Sequence, residues 1–369
     1  MRKLRVGQVG SGFISNVHNR ALATNPDVEV VAHCDVDEKL GKRFCRQNKI
    51  GQLYKSFDRM LKNADIDMVT LGVPNFLHAR YAIAAAKAGK HVVCEKPLAL
   101  TLADADEMIH TCKKAGVVLG YAEELCYVPK FVHAKQIADK GGIGDVFFVK
   151  QAEKHGGPYS PWFWQADKAG GGILMDMGCH SIEFCRWMLG KPKVKSVYAQ
   201  IDLYVHKKIT KQDDHIVMII EFETGQTALV ESSWTLQGGM ISVAEVHGTE
   251  GVIHANLLQD GMGLKVFSDK GYAPEKKETR GWHHPEWEWD FNNGYPQEMA
   301  DFVNCARNGG VPVETGEDGR VVLEIMIAGY LSAAKGRKIE FPFSAPRGYK
   351  TPVHIWLDSK KKAKAKKAK

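Results

Sequence analysis

Apolar residues in the first 120 positions fall into short continuous runs, separated by segments of helical length. The runs Leu4–Val9, Val28–Cys34 and Asp67–Val73 have the length and continuity of buried strands. The segments Phe13–Ala23 and Ala79–Ala88 lie between such runs and are predicted helices. Strands that alternate with helices in this way predict a parallel, doubly wound sheet.

Beyond about residue 123 the pattern changes to strand-like runs with few long helices between them. The main runs are 194–205, 216–222, 226–234, 241–246 and 264–267. We therefore predict an α/β Rossmann domain over 1–122 and, over 123–345, an α+β domain with a large, mostly antiparallel open sheet. The remaining segment, 346–369, ends in a lysine-rich tail that we expect to be disordered.

The composition is that of a globular protein with about two domains. The chain has 369 residues, of which 44% are apolar and 25% charged. No apolar run approaches the ~20 residues of a membrane span, and residues 1–6 lack the apolar core of a signal peptide. We therefore expect a cytoplasmic protein with no membrane partner.

The formal net charge of +7 originates in the C-terminal tail. Residues 360–369 contain seven lysines, and without them the formal charge is zero. Runs of like charge usually remain solvated, although a tether to nucleic acid or an anionic surface is the alternative. Because no basic stripe continues into the rest of the chain, we expect no nucleic-acid partner.

Eight cysteines are present, and none forms a C-x-x-C pair. This usage is typical of reduced thiols that pack in the core of an intracellular protein. Cys179, His180 and Cys185 are close in sequence, but their spacing matches no common zinc motif. We therefore expect no metal site.

A glycine-rich turn, Gly10-Ser11-Gly12, joins the first predicted strand to the first helix. Gly10 would allow a tight turn, and Gly12 would let the backbone approach a pyrophosphate at the helix N-terminus. Asp35 follows 25 residues later, where a carboxylate can bind the ribose hydroxyls and repel a 2′-phosphate. An ordinary turn that binds nothing is the alternative, but the combination predicts NAD, with NADP less favoured.

Three further residues have the chemistry needed to oxidise an alcohol. Lys96 precedes Pro97 at the end of the predicted strand His91–Cys94, an edge where open parallel sheets bind ligands. Asp176 and His180 are four residues apart, so a helix would place them on one face. A base removes the hydroxyl proton and a cation stabilises the alkoxide as the carbon releases hydride to a nicotinamide. Taken singly, a surface lysine, a helix N-cap and a core histidine are the structural alternatives.

Together these motifs make the chain similar to the Gfo/Idh/MocA oxidoreductases, which include glucose-fructose oxidoreductase and inositol dehydrogenases. The resemblance covers about residues 3–343. Its markers are Gly10-Ser11-Gly12, Asp35, Pro74-Asn75-Phe76-Leu77-His78, Ala88-Gly89-Lys90-His91-Val92, Glu95-Lys96-Pro97 and the run 170–180. The resemblance implies that the protein binds NAD or NADP and oxidises or reduces a sugar, polyol or amino-sugar carbon.

The resemblance also implies roles for individual residues. It assigns Lys96, Asp176 and His180 to catalysis, with His180 the usual candidate for the base. It implies that the Lys96-Pro97 bond is often cis. The expected cofactor contacts are Gly10, Gly12, Phe13, Ile14, Asp35, Pro74, Asn75, His78, Glu95 and Lys96.

One segment departs from the family pattern. Many relatives have an arginine-phenylalanine element after the last Rossmann strand, whereas this chain has Glu123-Glu124. An acidic pair near the cleft would suit uncharged, hydroxyl-rich ligands and disfavour sugar acids. A solvated helix start is the alternative.

Two segments, 154–164 and 282–289, are unusually aromatic. Aromatic faces with polar edges suit a sugar ring or the aglycone of a glycoside, although core or subunit packing is the alternative for any single tryptophan. The expected substrate contacts are Lys96, His155, Tyr159, Asp176, His180 and His283.

We therefore expect an NAD-dependent dehydrogenase acting on a secondary hydroxyl of a sugar, a glycoside or a cyclitol. Carbon 3 of a glycoside is an attractive position, because a ketone there acidifies the neighbouring C–H bond. Glycoside cleavage through transient oxidation of carbon 3, and non-catalytic sugar sensing, are the alternatives; three retained catalytic residues argue against sensing. Open antiparallel sheets often pair in this family, so we expect a homodimer or homotetramer.

Overall fold

The computed structural model describes residues 2–258, 266–268, 281–283 and 289–367. For 266–268, 281–283 and 289–290, and for a few positions of the lysine tail, the description is limited to the backbone. Among the described helices, none is both long enough and apolar enough to cross a membrane.

The N-terminal domain is built on a six-stranded parallel sheet with the order β3-β2-β1-β4-β5-β6. Its strands are β1 (Leu4–Val9), β2 (Val28–Cys34), β3 (Gln52–Tyr54), β4 (Met68–Leu71), β5 (His91–Glu95) and β6 (Leu119–Ala122). The strand order reverses between β1 and β4, which opens a crevice at the carboxyl ends of these strands. The predicted Rossmann domain is confirmed.

Five helices cover the two faces of this sheet. They are α1 (Phe13–Ala23), α2 (Glu38–Asn48), α3 (Phe57–Asn63), α4 (His78–Lys87) and α5 (Leu102–Ala115). Side-chain caps mark where some of them begin: the Thr101 hydroxyl accepts the N–H of Asp104 (3.0 Å), as expected for the start of α5. The hydrophobic pattern does not predict β3 and α3, which are too short to show a period.

A seven-stranded mixed sheet, with the order β12-β11-β7-β10-β9-β8-β15, forms the second domain. Strands β7 and β10 are parallel, and every other pair in this sheet is antiparallel. The strands of the C-terminal part are β7 (Val146–His155), β8 (Val194–Asp202), β9 (His215–Phe222), β10 (Thr227–Ser233), β11 (Met240–Gly248), β12 (Gly251–Asn256), β13 (Val266–Ser268), β14 (Gly281–His283) and β15 (Ile339–Glu340). Within the described residues, strands β13 and β14 form a separate two-stranded sheet.

Helices cover one face of the mixed sheet, and the other face is open. The helices of this part of the chain are α6 (Pro129–Asp139), α7 (Ala166–Ala169), α8 (Cys179–Met188), α9 (Trp289–Asn292), α10 (Tyr295–Asn308), α11 (Gly316–Lys335) and α12 (Pro352–Lys367), and those that contact the sheet include α6, α8 and α11. Helix α8 is buried over its whole length, and α11 has twelve of its twenty residues buried. On its open face, Tyr198, Val217 and Ile219 are exposed. The predicted open, mostly antiparallel sheet is confirmed.

Helix α10 returns to the N-terminal domain. Its buried residues Met299, Phe302 and Val303 share an apolar cluster with Val17 and Leu22 of α1. The two domains are therefore continuous in packing, although α10 falls inside the predicted second domain.

The lysine tail differs from the expected disorder, because α12 continues to Lys367. Val353 and Trp356 are buried where α12 begins. Lys360 lies over the Trp356 ring (3.8 Å) and donates to Asp202 (2.8 Å). Alanine and lysine are strong helix formers, so a helix anchored by a buried tryptophan extends into the charged run.

Candidate active site

A cleft of about 2020 Å³ lies between the two domains, at the carboxyl ends of the Rossmann strands. Its volume exceeds the roughly 300–1,000 Å³ of a pocket for one small molecule. The cleft is lined by all but one of the expected cofactor contacts and by five of the expected substrate contacts, namely Gly10, Gly12, Phe13, Ile14, Asp35, Pro74, Asn75, Glu95, Lys96, His155, Tyr159, Asp176 and His180. It therefore has room for a dinucleotide and a second molecule.

The glycine turn after β1 has the geometry of a dinucleotide cradle. Gly10 has φ +95°, and a Cβ there would lie 2.3 Å from the carbonyl oxygen of Gly72, so only glycine fits. Gly12 faces open space, with no atom within 4 Å of its hypothetical Cβ. It also precedes α1, which has no side-chain cap hydrogen bond at its N-terminus, the kind of place where helices bind anions. The turn therefore fits a pyrophosphate.

Asp35 lies directly after β2 and lines the same cleft. Its Oδ1 accepts the N–H of Asp37 (2.8 Å), which orients the carboxylate. Ser11 is hydrogen-bonded to the buried His33 ring (2.8 Å), which ties the glycine turn to β2. These residues fit the ribose end of a bound NAD.

Lys96 is fixed at the end of β5 by its neighbours. The Lys96-Pro97 peptide bond is cis, and the N–H of Lys96 is hydrogen-bonded to the Glu95 carboxylate (3.1 Å). Glu95 in turn contacts the His18 ring of α1 (2.8 Å). Burial opposes ionisation of Glu95, but His18 and then Lys96 hold its pKa below the ordinary value.

His78 differs from the expectation that it contacts the cofactor. Its ring is completely buried and absent from the cleft wall. One ring nitrogen is 2.9 Å from the carbonyl oxygen of Pro97, and the other is 2.9 Å from that of Val73. His78 therefore braces the turn that carries Lys96 against the segment after β4.

Asp176 is held by three side chains from different parts of the fold. The Lys96 ammonium donates to its Oδ1 (3.1 Å) and to its backbone oxygen (2.8 Å). The Trp234 indole N–H donates to Oδ2 (2.9 Å), and His155 Nε2 lies 3.5 Å from the same oxygen. Because the N–H of Gly157 donates to His155 Nδ1 (3.0 Å), the proton of a neutral His155 is on Nε2 and faces Asp176.

The backbone that presents Asp176 is anchored by Asp213. The Asp213 carboxylate accepts the N–H groups of Gly172 (3.1 Å) and Leu174 (2.8 Å) and the Tyr330 hydroxyl (2.8 Å). A Cβ on Gly172 would lie 1.8 Å from the carbonyl oxygen of Asp213, so glycine is required there. The next residues, Leu174–Gly178, form a single π-helical turn, a feature frequent at functional sites.

His180 lines the cleft at the start of α8, and its Nδ1 contacts a buried carboxylate on the side away from the cleft. Nδ1 lies 2.6 Å from Oε1 of Glu123, which is completely buried. Glu124, the second acid of the pair, lines the cleft with its Oε2 at 3.6 Å from the same nitrogen. The alternative of a solvated helix start is therefore wrong for both glutamates.

The protonation states of the three central groups follow from these contacts. Burial would lower the pKa of Lys96, but Asp176, Cys179 and the nearby glutamates raise it above the ordinary value. Burial opposes ionisation of Asp176, but Lys96, His155 and Trp234 together hold its pKa below the ordinary value. Burial lowers the pKa of His180 to about 4. At neutral pH the site therefore contains an ammonium, a carboxylate and a neutral imidazole.

Aromatic rings form the outer wall of the cleft. Trp162 and Phe163 stack on each other (centroids 3.8 Å apart), and Tyr159, which is 83% exposed, stacks on His155 (6.1 Å). The structure therefore brings the expected contacts His155 and Tyr159 to the cleft. The side chain of His283 lies outside the described residues.

Comparison with known proteins decides the family. Residues 4–123 match an oxidoreductase family with an NAD-binding Rossmann fold, and residues 131–254 match the GFO/IDH/MocA C-terminal domain. The crystal structure of GenD2 from gentamicin A biosynthesis, in complex with NAD, is 34% identical, has a TM-score of 0.87 and aligns over 93% of this chain and 97% of GenD2. The chain belongs to the Gfo/Idh/MocA oxidoreductase family.

Two curated members of the Gfo/Idh/MocA family match nearly the whole chain. Myo-inositol 2-dehydrogenase of Thermotoga maritima is 27% identical over 340 residues, which cover 91% of this chain and 98% of that protein. D-glucoside 3-dehydrogenase of Escherichia coli is 26% identical over 356 residues, which cover 91% and 97%. The expected family and its NAD cofactor are confirmed.

Four residues of this site were missed or given no role by the sequence analysis. His18, Asp213 and Trp234 carry no motif, and each acts on a residue about 40 or more positions away in the sequence. Glu123 was expected only as part of an acidic pair that departs from the family pattern and suits uncharged ligands. The signal available for it was its position directly after β6, at the ligand-binding edge of the sheet.

Proposed function

We propose that this protein is an NAD-dependent dehydrogenase that oxidises a secondary hydroxyl of a pyranose, a glycoside or a cyclitol. The observation that carries the proposal is the Lys96 ammonium, held by Asp176 beside a neutral His180 at the edge of the Rossmann cleft. Bound NAD would supply the hydride acceptor. The inositol and glucoside dehydrogenases among the relatives support this substrate class.

Lys96 would bind the substrate oxygen. Its ammonium has three N–H donors, and Asp176 accepts from Nζ at two atoms, which leaves one donor for a hydroxyl or alkoxide. A cation in that place stabilises negative charge as the O–H proton leaves. Because its pKa is raised, Lys96 remains charged and is not the base.

His180 would be the base. Asp176 is already bound by Lys96 and Trp234, and its pKa is low, so it is a poor proton acceptor. The imidazole is neutral at pH 7, and with Nδ1 turned to Glu123 its Nε2 is the atom left for the substrate. Asp176 would position Lys96, and His155 and Trp234 would orient Asp176.

The aromatic wall favours a glycoside, with carbon 3 as the position of oxidation. The stacked pair Trp162–Phe163 and the exposed Tyr159 offer apolar faces at the cleft entrance, which suit a sugar ring and its aglycone. The similarity to D-glucoside 3-dehydrogenase supports this position.

The test is incubation of the purified protein and NAD with a panel of glucosides and inositols, followed by identification of the products. A keto sugar formed with an equal amount of NADH is expected. Free aglycone without net NADH would instead indicate cleavage through transient oxidation. No change in any compound would contradict the proposal.

Lys96→Ala is the matching variant. Loss of the ammonium should reduce hydride transfer about 10³-fold, while NAD binding, measured by calorimetry, is retained. Lys87→Ala, on the exposed face of α4, is the control. Undiminished turnover in Lys96→Ala would remove the ammonium from the mechanism.

We also propose a homo-oligomer that buries the open face of the mixed sheet. Tyr198 of β8 is the register partner of Ile219 of β9, and both are exposed beside Val217. A contiguous apolar face of this kind usually marks an interface. Analytical sedimentation of Ile219→Lys and of the unmodified chain tests this oligomer. We expect the variant to dissociate, and an unchanged mass would contradict the proposed interface.

A cytoplasmic location is proposed from the thiols. All eight cysteines are buried and unpaired, as expected in a reducing compartment. Titration of the freshly isolated, denatured protein should detect eight free thiols. Disulfides in that material would contradict the location.

A further inference from the structure

Glu123 contacts the His180 ring at Nδ1, on the side away from the cleft. Its side chain has no exposed surface, and Oε1 lies 2.6 Å from Nδ1 of His180. Its other carboxyl oxygen has no hydrogen-bond partner among the described residues. A carboxyl group in this place determines which of the two ring nitrogens carries the imidazole proton.

We propose that Glu123 is a positioning residue that receives a proton through His180 during alcohol oxidation. This inference rests on the proposed function. The substrate O–H proton moves to Nε2 of His180, and the Nδ1 proton moves to Oε1 of Glu123. The products of the transfer are a neutral carboxylic acid and a neutral imidazole with its proton on Nε2, so that the pair gains one proton overall.

The order of basicity in the pair favours this transfer. Burial lowers the pKa of His180 to about 4, so an imidazolium is unfavourable there. Burial raises the pKa of Glu123 well above its ordinary value. Glu183 and Glu95 raise this pKa further, whereas Lys96 opposes the rise. In a Ser-His-Asp triad the carboxylate remains ionised and the histidine becomes charged. In this pair the Glu123 carboxylate is more basic than the His180 imidazole, so the proton is more stable on Glu123.

The surroundings contain far more acid than base. In the described part of the chain, Lys96 is a cation that acts on both Glu123 and His180, while Arg186 and Lys191 pair with Glu183. Their other titratable neighbours, from β5, β6, β7, α8, α10 and the connecting segments, are Glu95, Tyr121, Glu124, Cys126, Glu153, Asp176, Cys179, Glu183 and Glu298. An additional negative charge on Glu123 is therefore costly, which favours its uptake of a proton.

Glu123 and His180 would act together as a base in oxidation and as an acid in reduction. With Glu123 ionised, Nδ1 carries the proton and the lone pair of Nε2 can accept the substrate proton. With Glu123 protonated, it donates to Nδ1, and Nε2–H can protonate a ketone. Oxidation should therefore become faster as the pH rises through the titration of the pair, and reduction should become slower.

The first test measures the tautomer of His180 in the cofactor-free protein by ¹⁵N-histidine NMR across pH. In the unmodified chain we expect the proton to move from Nε2 to Nδ1 as the pH rises, while the ring stays neutral. In Glu123→Gln the tautomer should not change with pH. An ordinary imidazolium titration of His180 in the unmodified chain would overturn the proposal, even if Glu123→Gln failed to fold.

The second test is the pH profile of kcat for oxidation. In Glu123→Gln the acid limb should move down by about one pH unit or more, because titration of the low-pKa imidazole replaces that of the pair, and kcat should fall about 10²-fold. Glu153→Gln is the control, since Glu153 is another buried acid with a raised pKa but does not contact His180. An unmoved limb would indicate a structural role and overturn the proposal. If no sugar is oxidised at all, the proposed function fails, while the NMR result still decides the tautomer.

Discussion

Asp35 is the residue on which the choice between NAD and NADP depends. Its carboxylate lies on the cleft wall after β2, where it would meet the ribose hydroxyls and repel a 2′-phosphate. Replacing Asp35 by Ser should raise the ratio of kcat/KM for NADP to that for NAD about 10-fold or more. Steady-state kinetics with both cofactors measure this ratio.

The matched control removes a charge two residues away. Asp37 is exposed, and its carboxylate caps α2 by accepting the N–H groups of Lys39 and Leu40. Asp37→Asn keeps an acceptor for the cap while it removes the charge. An equal rise of the ratio in both variants would mean that net charge, rather than the position of Asp35, selects the cofactor.

Single residues also show how far the sequence predicts this site. Lys96, Asp176 and His180 could be singled out because each has a motif and a place relative to a predicted strand or helix. Trp234 and Asp213 could not, because their role is a contact with Asp176 or with the glycine run before it, formed only when distant segments pack together. His78 has a motif, yet its ring serves the backbone and not the cleft.

At the scale of an element, the two glycines of the β1–α1 turn have different roles. Gly10 is needed for folding, and Gly12 is needed for cofactor binding. Gly10→Ala would force a side chain into a positive φ and against Gly72, so we expect a loss of about 2–4 kcal/mol in the free energy of unfolding. Gly12 has φ −76° and open space around it, so Gly12→Ala should change this free energy by less than about 1 kcal/mol. Urea denaturation measures both.

For NAD affinity, Gly12→Ala should be the more damaging of these two variants. The methyl group of Gly12→Ala would occupy the space in which a pyrophosphate approaches the helix start, and NAD affinity should fall about 10-fold or more in a stable protein. Unchanged NAD affinity in Gly12→Ala would contradict the placement of the pyrophosphate.

Elements were predictable where the apolar pattern was long. The bounds of β1, α1 and β2 are those predicted, because continuous apolar runs end at turn residues there. The tail was not predictable in this way: its charge indicates disorder, but helix propensity and the burial of Trp356 favour α12. The π-helical turn at Leu174–Gly178 has no sequence signal, since it follows from how Asp213 holds the preceding glycines.

For the whole molecule, the buried acids make stability depend on pH. Glu153 is completely buried, accepts from Gln151 (2.6 Å) and Ser242, and has its pKa raised to about 8. Between the unfolded value near 4.5 and 8, the folded state binds more protons than the unfolded state, so stability falls as the pH rises. Glu153→Gln should remove this part of the decline, worth up to about 5 kcal/mol.

The measurement is the free energy of unfolding of the unmodified chain and of Glu153→Gln, each at pH 5 and at pH 9. The gain in Glu153→Gln relative to the unmodified chain should be larger at pH 9. Glu245→Gln on β11 is the control, because Glu245 is partly exposed, is paired with Lys150 (2.9 Å) and has a lowered pKa. Equal behaviour of the two variants would show that burial of Glu153 has no such cost.

The proposed mechanism requires Lys96 and His180 to act on one carbinol whose hydride is transferred to NAD. Its most direct measurement follows a carbon-deuterated glucoside or inositol during a single turnover, with mass spectrometry of both products. We expect a keto product that has lost one deuterium and a reduced nucleotide that carries it, and we expect Lys96→Ala to form both about 10³-fold more slowly. Conversion of the sugar without deuterium in the nucleotide would contradict the account.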